Sequence, residues 1–453
     1  MGSSIQEYLH PGKRVHLCGI GGVSMSPLAE VLHSMGLQVQ GSDMQDSPVV
    51  AHLRSLGIPI TVGHQAQAVE GADFLIRTAA VHDDNPEIRH AREEGIPVFE
   101  RAEAWGAIMQ GYRNALCIAG THGKTTTTSM ATHIFMAAGA DPTVMIGGTL
   151  PMLHSGYRVG AGDTIILESC EYCNSFLHFF PTVAVVLNVE ADHLDFFKDL
   201  ADVEHSFRRF AQLVPPDGHV VANADDPGAM EALQGLPLFT FGMKNPADSR
   251  VENLQWEDGL PSFDVVIHDQ TYCHVALLVG GIHNVMNALA AATAAYVLGL
   301  PGQAVSEGLA SFTGAGRRFE YKGTYHGARI YDDYAHHPGE LHALLQMARS
   351  LGYQRIICAF QPHTYSRTRA LFDDFVRELQ AADVVLLAEI YAAREKNTIG
   401  ISSKDLAAQL PGSIYCPTLE DVTHHLRTLA RDGDLILTVG AGNIYTAGEA
   451  LLH

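Results

Sequence analysis

Short apolar runs separated by amphipathic stretches repeat along this chain, and their lengths predict strands alternating with helices. Val15-His16-Leu17-Cys18 reads as a buried strand, followed by a glycine turn and a helix with Leu28, Val31, Leu32 and Met35 on one face and Gly36 as its stop. A second strand, Leu37 to Gln40, runs into Gly41-Ser42-Asp43, and the alternation continues to about Trp105. A new unit opens with the strand Ala115 to Ala119, a glycine loop and a helix over Ser129 to Ala138, and later contains strands at Thr164 to Leu167 and Val183 to Asn188. Beyond Gly323-Thr324-Tyr325, three apolar strands, Arg355 to Phe360, Asp383 to Ala388 and Leu435 to Val439, alternate with helical patterns. The expected fold class is therefore α/β in three domains, over residues 1–110, 111–322 and 323–453, the first and third Rossmann-like.

Length agrees, because a single core stops growing at about 250 to 300 residues and this chain has 453. At 47% hydrophobic residues the composition is that of an ordinary globular protein. Apolar runs of strand length fall far short of the roughly 20 residues a bilayer needs, so no membrane insertion is expected. Met1 to His10 lacks a basic region followed by an apolar stretch, so the expectation is a cytoplasmic protein without a signal peptide. Seven cysteines, an odd number in a long chain, fit free thiols. Lys plus Arg number 29 against 50 Asp plus Glu, a net charge of −21, which argues against a nucleic-acid partner. In so acidic a chain, each basic residue inside a glycine-rich motif gains weight as an anion-binding group.

Two such motifs stand out. Gly120-Thr121-His122-Gly123-Lys124-Thr125-Thr126 lies between a buried strand and a helix, where backbone N–H groups and the helix N-terminus cradle phosphates. Lys124 would reach the terminal phosphates and Thr125 would set its hydroxyl on Mg²⁺, although the loop is shorter than the usual P-loop. Gly19-Ile20-Gly21-Gly22-Val23-Ser24 also joins a strand to a helix, with Asp43 closing the next strand at the spacing of a ribose-binding acid. That turn suits a dinucleotide or any ligand with a diphosphate and a ribose. With a separate phosphate loop in the same chain, a nucleotide-linked substrate is favoured over a redox cofactor.

Taken together, Gly19 to Ser26, Gly120 to Thr128, Asn188 to Asp195, His283 to Ala288, Gly316 to Phe319, Asp332 to Pro338 and Gln361 to Thr368 resemble, in order and spacing, the Mur ligases of peptidoglycan synthesis over nearly the whole length. The resemblance implies a UDP-binding domain, a central P-loop-type ATPase domain, and a C-terminal domain that closes over ATP and brings the amino acid. It implies ATP and Mg²⁺, with UDP-N-acetylmuramate and L-alanine as the substrates joined through an acyl phosphate. A sister ligase taking another amino acid or a recycled peptide is the alternative within the family. Outside it, a nicotinamide-dependent oxidoreductase and a nucleotide-binding regulator are the competing classes.

Carried over position by position, the resemblance gives the ATP site Gly120 to Thr126, His283, Asn284, Asn287, the phosphate clamp Arg318 and the ribose acid Asp333. Metal ligation falls to Thr125, Glu168 and His193. The UDP-sugar side takes Gly19, Gly21, Gly22, Ser24, Met25, Ser42 and Asp43, and the amino acid takes His337, His363 and Arg367. The catalytic set is Lys124, Glu168, His193, His336 and Arg367. For the His336-His337 pair a structural turn before Pro338 is the competing reading.

This chain departs from the family pattern twice. Around the magnesium glutamate it reads Glu168-Ser169-Cys170-Glu171-Tyr172-Cys173-Asn174 where many members have acidic neighbours, and Thr364 stands where many have Arg. The spacing of Cys170 and Cys173 invites a zinc or redox reading, but no second pair exists to complete four ligands, which leaves two free thiols.

Overall fold

The computed structural model describes residues 4–22, 24–78, 81–193, 196–393 and 395–453. Val23 of the first glycine turn and Leu194 and Asp195 of the Asn188 to Asp195 segment lie outside the described residues.

Three sheets divide the chain. The first contains β1 (Arg14–Cys18), β2 (Gln38–Asp43), β3 (Ile60–Val62), β4 (Phe74–Arg77) and β5 (Val98–Glu100), all parallel in the order β3-β2-β1-β4-β5. The order reverses at β1, so the crevice beyond its C-terminal end, where α1 (Met25–Ser34) begins, is where an open α/β sheet accepts ligands. Gly36, at φ +83°, ends the turn after α1 in a conformation that other residues rarely adopt. The sheet closes with β5, which leads into α2 (Arg101–Met109).

The second sheet has ten strands: β6 (Asn114–Ala119), β7 (Thr143–Leu150), β8 (Ser155–Arg158), β9 (Thr164–Glu168), β10 (Val183–Val186), β11 (His219–Asn223), β12 (Phe239–Gly242), β13 (Ser249–Glu257), β14 (Leu260–Ile267) and β15 (Gln270–Ala276). Their order is β15-β14-β13-β12-β11-β10-β6-β9-β7-β8. The central strands β6, β9 and β10 pair in parallel and are buried on both faces, which explains their unbroken apolar reading. The antiparallel strands β13 to β15 extend the sheet at one edge and were not legible in the apolar pattern, because their burial alternates with exposed polar positions. Two helices matter for the site, α3 (Lys124–Ala137) and α4 (Ile282–Val297). The helix expected over Ser129 to Ala138 starts five residues earlier, at Lys124, so the phosphate-loop lysine is its first residue.

The third sheet contains β16 (Glu320–Tyr325), β17 (Ala328–Asp333), β18 (Arg355–Phe360), β19 (Val384–Ala388), β20 (Ile414–Cys416) and β21 (Asp434–Val439), in the order β16-β17-β21-β18-β19-β20. Only β16 runs antiparallel to its neighbour. Its site-bearing helices are α5 (Pro338–Ser350) and α6 (Tyr365–Ala370).

The first two sheets share one hydrophobic core. Trp105, Ile108 and Met109 on α2 belong to the same buried cluster as Phe176, Phe207 and Phe210 from the second sheet's side, and Gly106 abuts the His178 carbonyl with no room for a side chain. At about 1.5 to 3 kcal/mol for each large apolar side chain removed from water, this shared core couples the two units firmly. The third sheet has its own core on both faces and meets the second through polar side chains instead. Among the described residues, no helix is long and apolar enough to cross a membrane.

Candidate active site

The phosphate loop forms because two of its residues must be glycine. Gly120 (φ +149°) and Gly123 (φ +82°) adopt left-handed backbone, and a Cβ on Gly123 would lie 2.6 Å from Asn287 Oδ1. The loop is clamped from below: Asn188 Oδ1 accepts from the His122 N–H at 2.7 Å, and Thr121 Oγ1 accepts from the Glu190 N–H at 2.9 Å. With α3 starting at Lys124, its first N–H groups point into the loop, as an anion site requires.

Lys124 is not idle there. Its ammonium donates to the carbonyls of Gly120 and Thr121 and meets the Glu171 carboxylate at 3.1 Å. Burial works against its charge, but Glu171 and Glu168 outweigh that and hold the pKa above the ordinary lysine value. Thr125 Oγ1 donates to Glu168 Oε1 at 3.0 Å, while Glu168 Oε2 receives the Gly147 N–H at 2.6 Å. His193, at φ +53°, turns its Nε2 toward Glu171 (3.6 Å) and Asp192 (3.8 Å). Thus of the expected metal set, Thr125 and Glu168 touch each other, whereas the groups clustered with His193 are Glu171 and Asp192, with ligand atoms all within 4.8 Å.

A cavity of about 840 Å³ runs from this loop to the third sheet, lined by His122, Gly123, Thr126, His283, Asn284, Asn287, Arg318 and Asp333 among others. Burial, with Arg318 nearby, pushes His283 down to about 4, so its ring is neutral. Asn284 donates to the Gly280 carbonyl at 2.7 Å, and Asn287 Oδ1 accepts from Thr127 Oγ1 at 3.2 Å. Asp333, at the end of β17, accepts from the N–H groups of Phe319 and Ala335 at 2.8 Å, and burial raises its carboxyl to about 6. Arg317 is spent inside the third domain on Asp332 and the carbonyls of Gly440 and Gly442, whereas its neighbour Arg318 faces the cavity with Glu340 at 3.8 Å as its carboxylate.

Polar contacts also join the second and third domains beside the cavity. His122 lies 3.2 Å from Glu190 and 3.4 Å from Glu340, with its ring 4.9 Å from that of His337. Arg367 on α6 reaches Asp192 at 3.1 Å and His363 Nδ1 at 3.4 Å. His337 caps α5, its Nδ1 accepting from the Gly339 N–H at 3.3 Å, a structural task of the kind the sequence left open for this pair. Burial lowers His336 to about 4, and its ring sits 5.8 Å from that of His363.

In the first domain the glycine turn is folded onto β2. Ser42 O accepts from the N–H groups of Gly19 and Ile20 at 2.9 Å each, Asp43 Oδ2 accepts from the Gly21 N–H at 2.8 Å, and Gly22 N–H bonds Gly19 O. A Cβ on Gly21 would fall 2.9 Å from Asp43 Oδ2. Met25 is buried at the start of α1, and Ser24 receives bonds from Arg101 and from the Trp105 indole. Ser42 is fully buried, so it offers the turn its carbonyl, while its hydroxyl points to Glu87.

Residues 14–113 match the Mur ligase family, catalytic domain; residues 118–295 the Mur ligase middle domain; and residues 317–442 the Mur ligase, glutamate ligase domain. The chain belongs to the Mur ligase family. This Mur ligase is 44% identical over 447 residues to the UDP-N-acetylmuramate–L-alanine ligase of Clostridium novyi, and 44% identical over 448 residues to that of Caldanaerobacter subterraneus, with 97% of each chain covered. Its structure is similar to that of a UDP-N-acetylmuramate-alanine ligase from Thermotoga maritima, with TM-score 0.82, 30% identity, and 97% and 98% of the two chains covered. A murein peptide ligase from Psychrobacter arcticus shares the fold of this Mur ligase at TM-score 0.72 and 23% identity, over 97% and 98% of the chains.

Reading the Mur ligase by sequence missed four carboxylates that the site gathers: Glu171, Asp192, Glu190 and Glu340. Only position could have suggested them, since Glu171 follows Glu168 by three residues and Glu340 stands at the capping-box position after His337. None of the candidate metal groups among the described residues includes Cys170 or Cys173, and burial pushes the Cys170 thiol up to about 12.

Proposed function

We propose that this Mur ligase joins L-alanine to UDP-N-acetylmuramate at the expense of ATP. The reading is carried by full-length identity of 44% to relatives of that name, and the geometry supplies a part for each chemical step. The sugar carboxylate attacks the γ-phosphorus of ATP, ADP departs, and the resulting acyl phosphate is attacked by the amine of L-alanine. The tetrahedral adduct then expels phosphate as the amine loses its proton.

Two anions must approach for the first step, so cations have to meet them. Lys124 sits at the base of the loop for that purpose, and its exchange of Glu171 for phosphate oxygens keeps the ammonium paired throughout. Thr125 and Glu168 present oxygen donors 3.0 Å apart, a set suited to a hard divalent ion such as Mg²⁺, which when bound would offset phosphate charge. The Gly19 to Ser24 turn takes the diphosphate and Asp43 the ribose. Arg367, beside His363, faces the second domain's Asp192 and supports the reading in which the third domain carries the amino-acid carboxylate across the seam.

The test is phosphate release from ATP with UDP-N-acetylmuramate against a panel of amino acids and the tripeptide. Release dependent on L-alanine is the expected result. Release driven instead by another amino acid or by the peptide would move the chain to a sister activity.

A further inference from the structure

Beneath the glycine turn of the first domain, away from the phosphate loop, four polar atoms from two strands, a loop and a helix converge in the interior. Cys18 Sγ lies 3.6 Å from His64 Nδ1, and His64 Nδ1 lies 3.4 Å from Glu87 Oε2. All three of these atoms lie within 4.8 Å of one another. Ser42 Oγ completes the group at 2.6 Å from Glu87 Oε2, 3.1 Å from His64 Nδ1 and 4.0 Å from Cys18 Sγ. Cys18, Ser42 and Glu87 are fully buried, and the His64 side chain keeps 14% of its surface exposed.

Ser42 Oγ donates to Glu87 Oε2 at 2.6 Å, an ordinary hydrogen bond, which leaves the crowding at His64 Nδ1 to explain. His64 Nδ1 can make one hydrogen bond yet faces a thiol, a hydroxyl and a carboxylate oxygen. A common centre for the thiol, imidazole and carboxylate atoms accounts for that crowding, at 3.6 Å sulfur to nitrogen and 3.4 Å nitrogen to oxygen. With zinc–sulfur bonds of about 2.3 Å and zinc–nitrogen or zinc–oxygen bonds of about 2.05 Å, a tetrahedron has sulfur–nitrogen and nitrogen–oxygen edges of roughly 3.5 and 3.4 Å.

We propose that Cys18, His64 and Glu87 bind one divalent transition-metal ion of the zinc class, with a water at the fourth position and the Ser42 hydroxyl holding the Glu87 carboxylate. A borderline-soft ion suits a thiol and an imidazole, whereas Mg²⁺ prefers oxygen donors such as those of Thr125 and Glu168. The outer shell is present: His16 Nε2 approaches Glu87 Oε2 at 3.1 Å, and Glu87 Oε1 accepts from the Gln65 N–H at 3.2 Å. The exposed edge of His64 is the way in. Burial keeps the Cys18 thiol protonated until an ion arrives, and uptake sends that proton to solvent as the thiolate ligates. Three protein ligands would then tie β1, the segment after β3 and the helix carrying Glu87 together under the turn that Ser42 O supports. The ion's part is structural.

Full-length protein stripped with chelator and then titrated with Co²⁺ in excess Mg²⁺ tests this. One cobalt per chain should bind with a thiolate charge-transfer band, and stoichiometric Zn²⁺ should displace it and raise the melting temperature. Cys18→Val should abolish the band, and His64→Gln should weaken binding by more than the roughly 100-fold that an outer-shell change can reach. The sulfur band separates this site from His122/Glu190/His337 and Glu171/Asp192/His193, which hold no thiol. Wild-type protein that yields no thiolate–cobalt band overturns the proposal, as does a band that persists in His64→Gln at unchanged affinity; the second criterion stands even if Cys18→Val fails to fold.

Discussion

Arg367 Nη2 of the third domain donates to Asp192 Oδ1 of the second at 3.1 Å, and both side chains are nearly buried at 12% and 10% exposure. Burial works against the Asp192 charge, but Arg367 and His193 hold its carboxyl below the usual carboxylate range. The contact joins the domain expected to bring the amino acid to the one expected to hold the phosphates. Arg367→Ala and Asp192→Asn should each lower kcat/KM for L-alanine by tenfold or more, while leaving the KM for ATP within a few-fold. A double-mutant cycle should return a coupling of about 1 kcal/mol or more. Additive effects would separate the two residues.

Lys124 and Glu171 form the most enclosed ion pair in the site, at 14% and 2% exposure. Lys124→Ala should cut turnover by about 10³-fold. It should also destabilise the protein by about 3 kcal/mol in urea unfolding, because Glu171 is left buried with only His193 beside it. Adding Glu171→Gln should restore much of that stability and none of the activity, so recovery of turnover in the double variant would contradict the assignment.

Gly21→Val introduces a side chain whose Cβ alone would crowd Asp43 Oδ2 at 2.9 Å and Val50 at 3.0 Å. Binding of the UDP-sugar should weaken while ATP binding is spared, as calorimetry with each ligand can read. Equal loss of both would point to general misfolding.

The His122 contact with Glu340 makes the seam between second and third domains sensitive to pH. Burial opposes charging of His122, but Glu190 and Glu340 prevail and bring its pKa up to about 9. A folded-state pKa above the unfolded value of about 6.5 stabilises fully below pH 6.5 and loses that contribution as pH rises through 9. Thermal stability between pH 7 and 10 should therefore decline in the wild type and less steeply in His122→Gln. Parallel profiles would assign the decline to other groups.

Cys170 and Cys173 belong to no candidate metal group among the described residues, so Cys170→Ser with Cys173→Ser should retain most activity, and Glu168→Gln should lower it sharply and raise the Mg²⁺ requirement. Assays over a Mg²⁺ titration can separate the two.

Sequence by itself determined the alternation of strands and helices and the two glycine turns, because run length and turn chemistry are local properties. The strand expected over Arg355 to Phe360 is found there, and the phosphate loop lies between β6 and α3. It missed where α3 begins, since four consecutive threonines carry no apolar periodicity. The family resemblance already points to Arg318 rather than its neighbour, and the tertiary structure gives the physical reason: Arg317 is held by Asp332 on β17 and by the Gly440 carbonyl just after β21. Tertiary structure alone set Glu171 against Lys124, 47 positions apart, and gathered Cys18, His64 and Glu87 from β1, the segment after β3 and the helix before β5. Attraction between such groups acts through space over a few ångströms, and chain order alone does not bring them within that range.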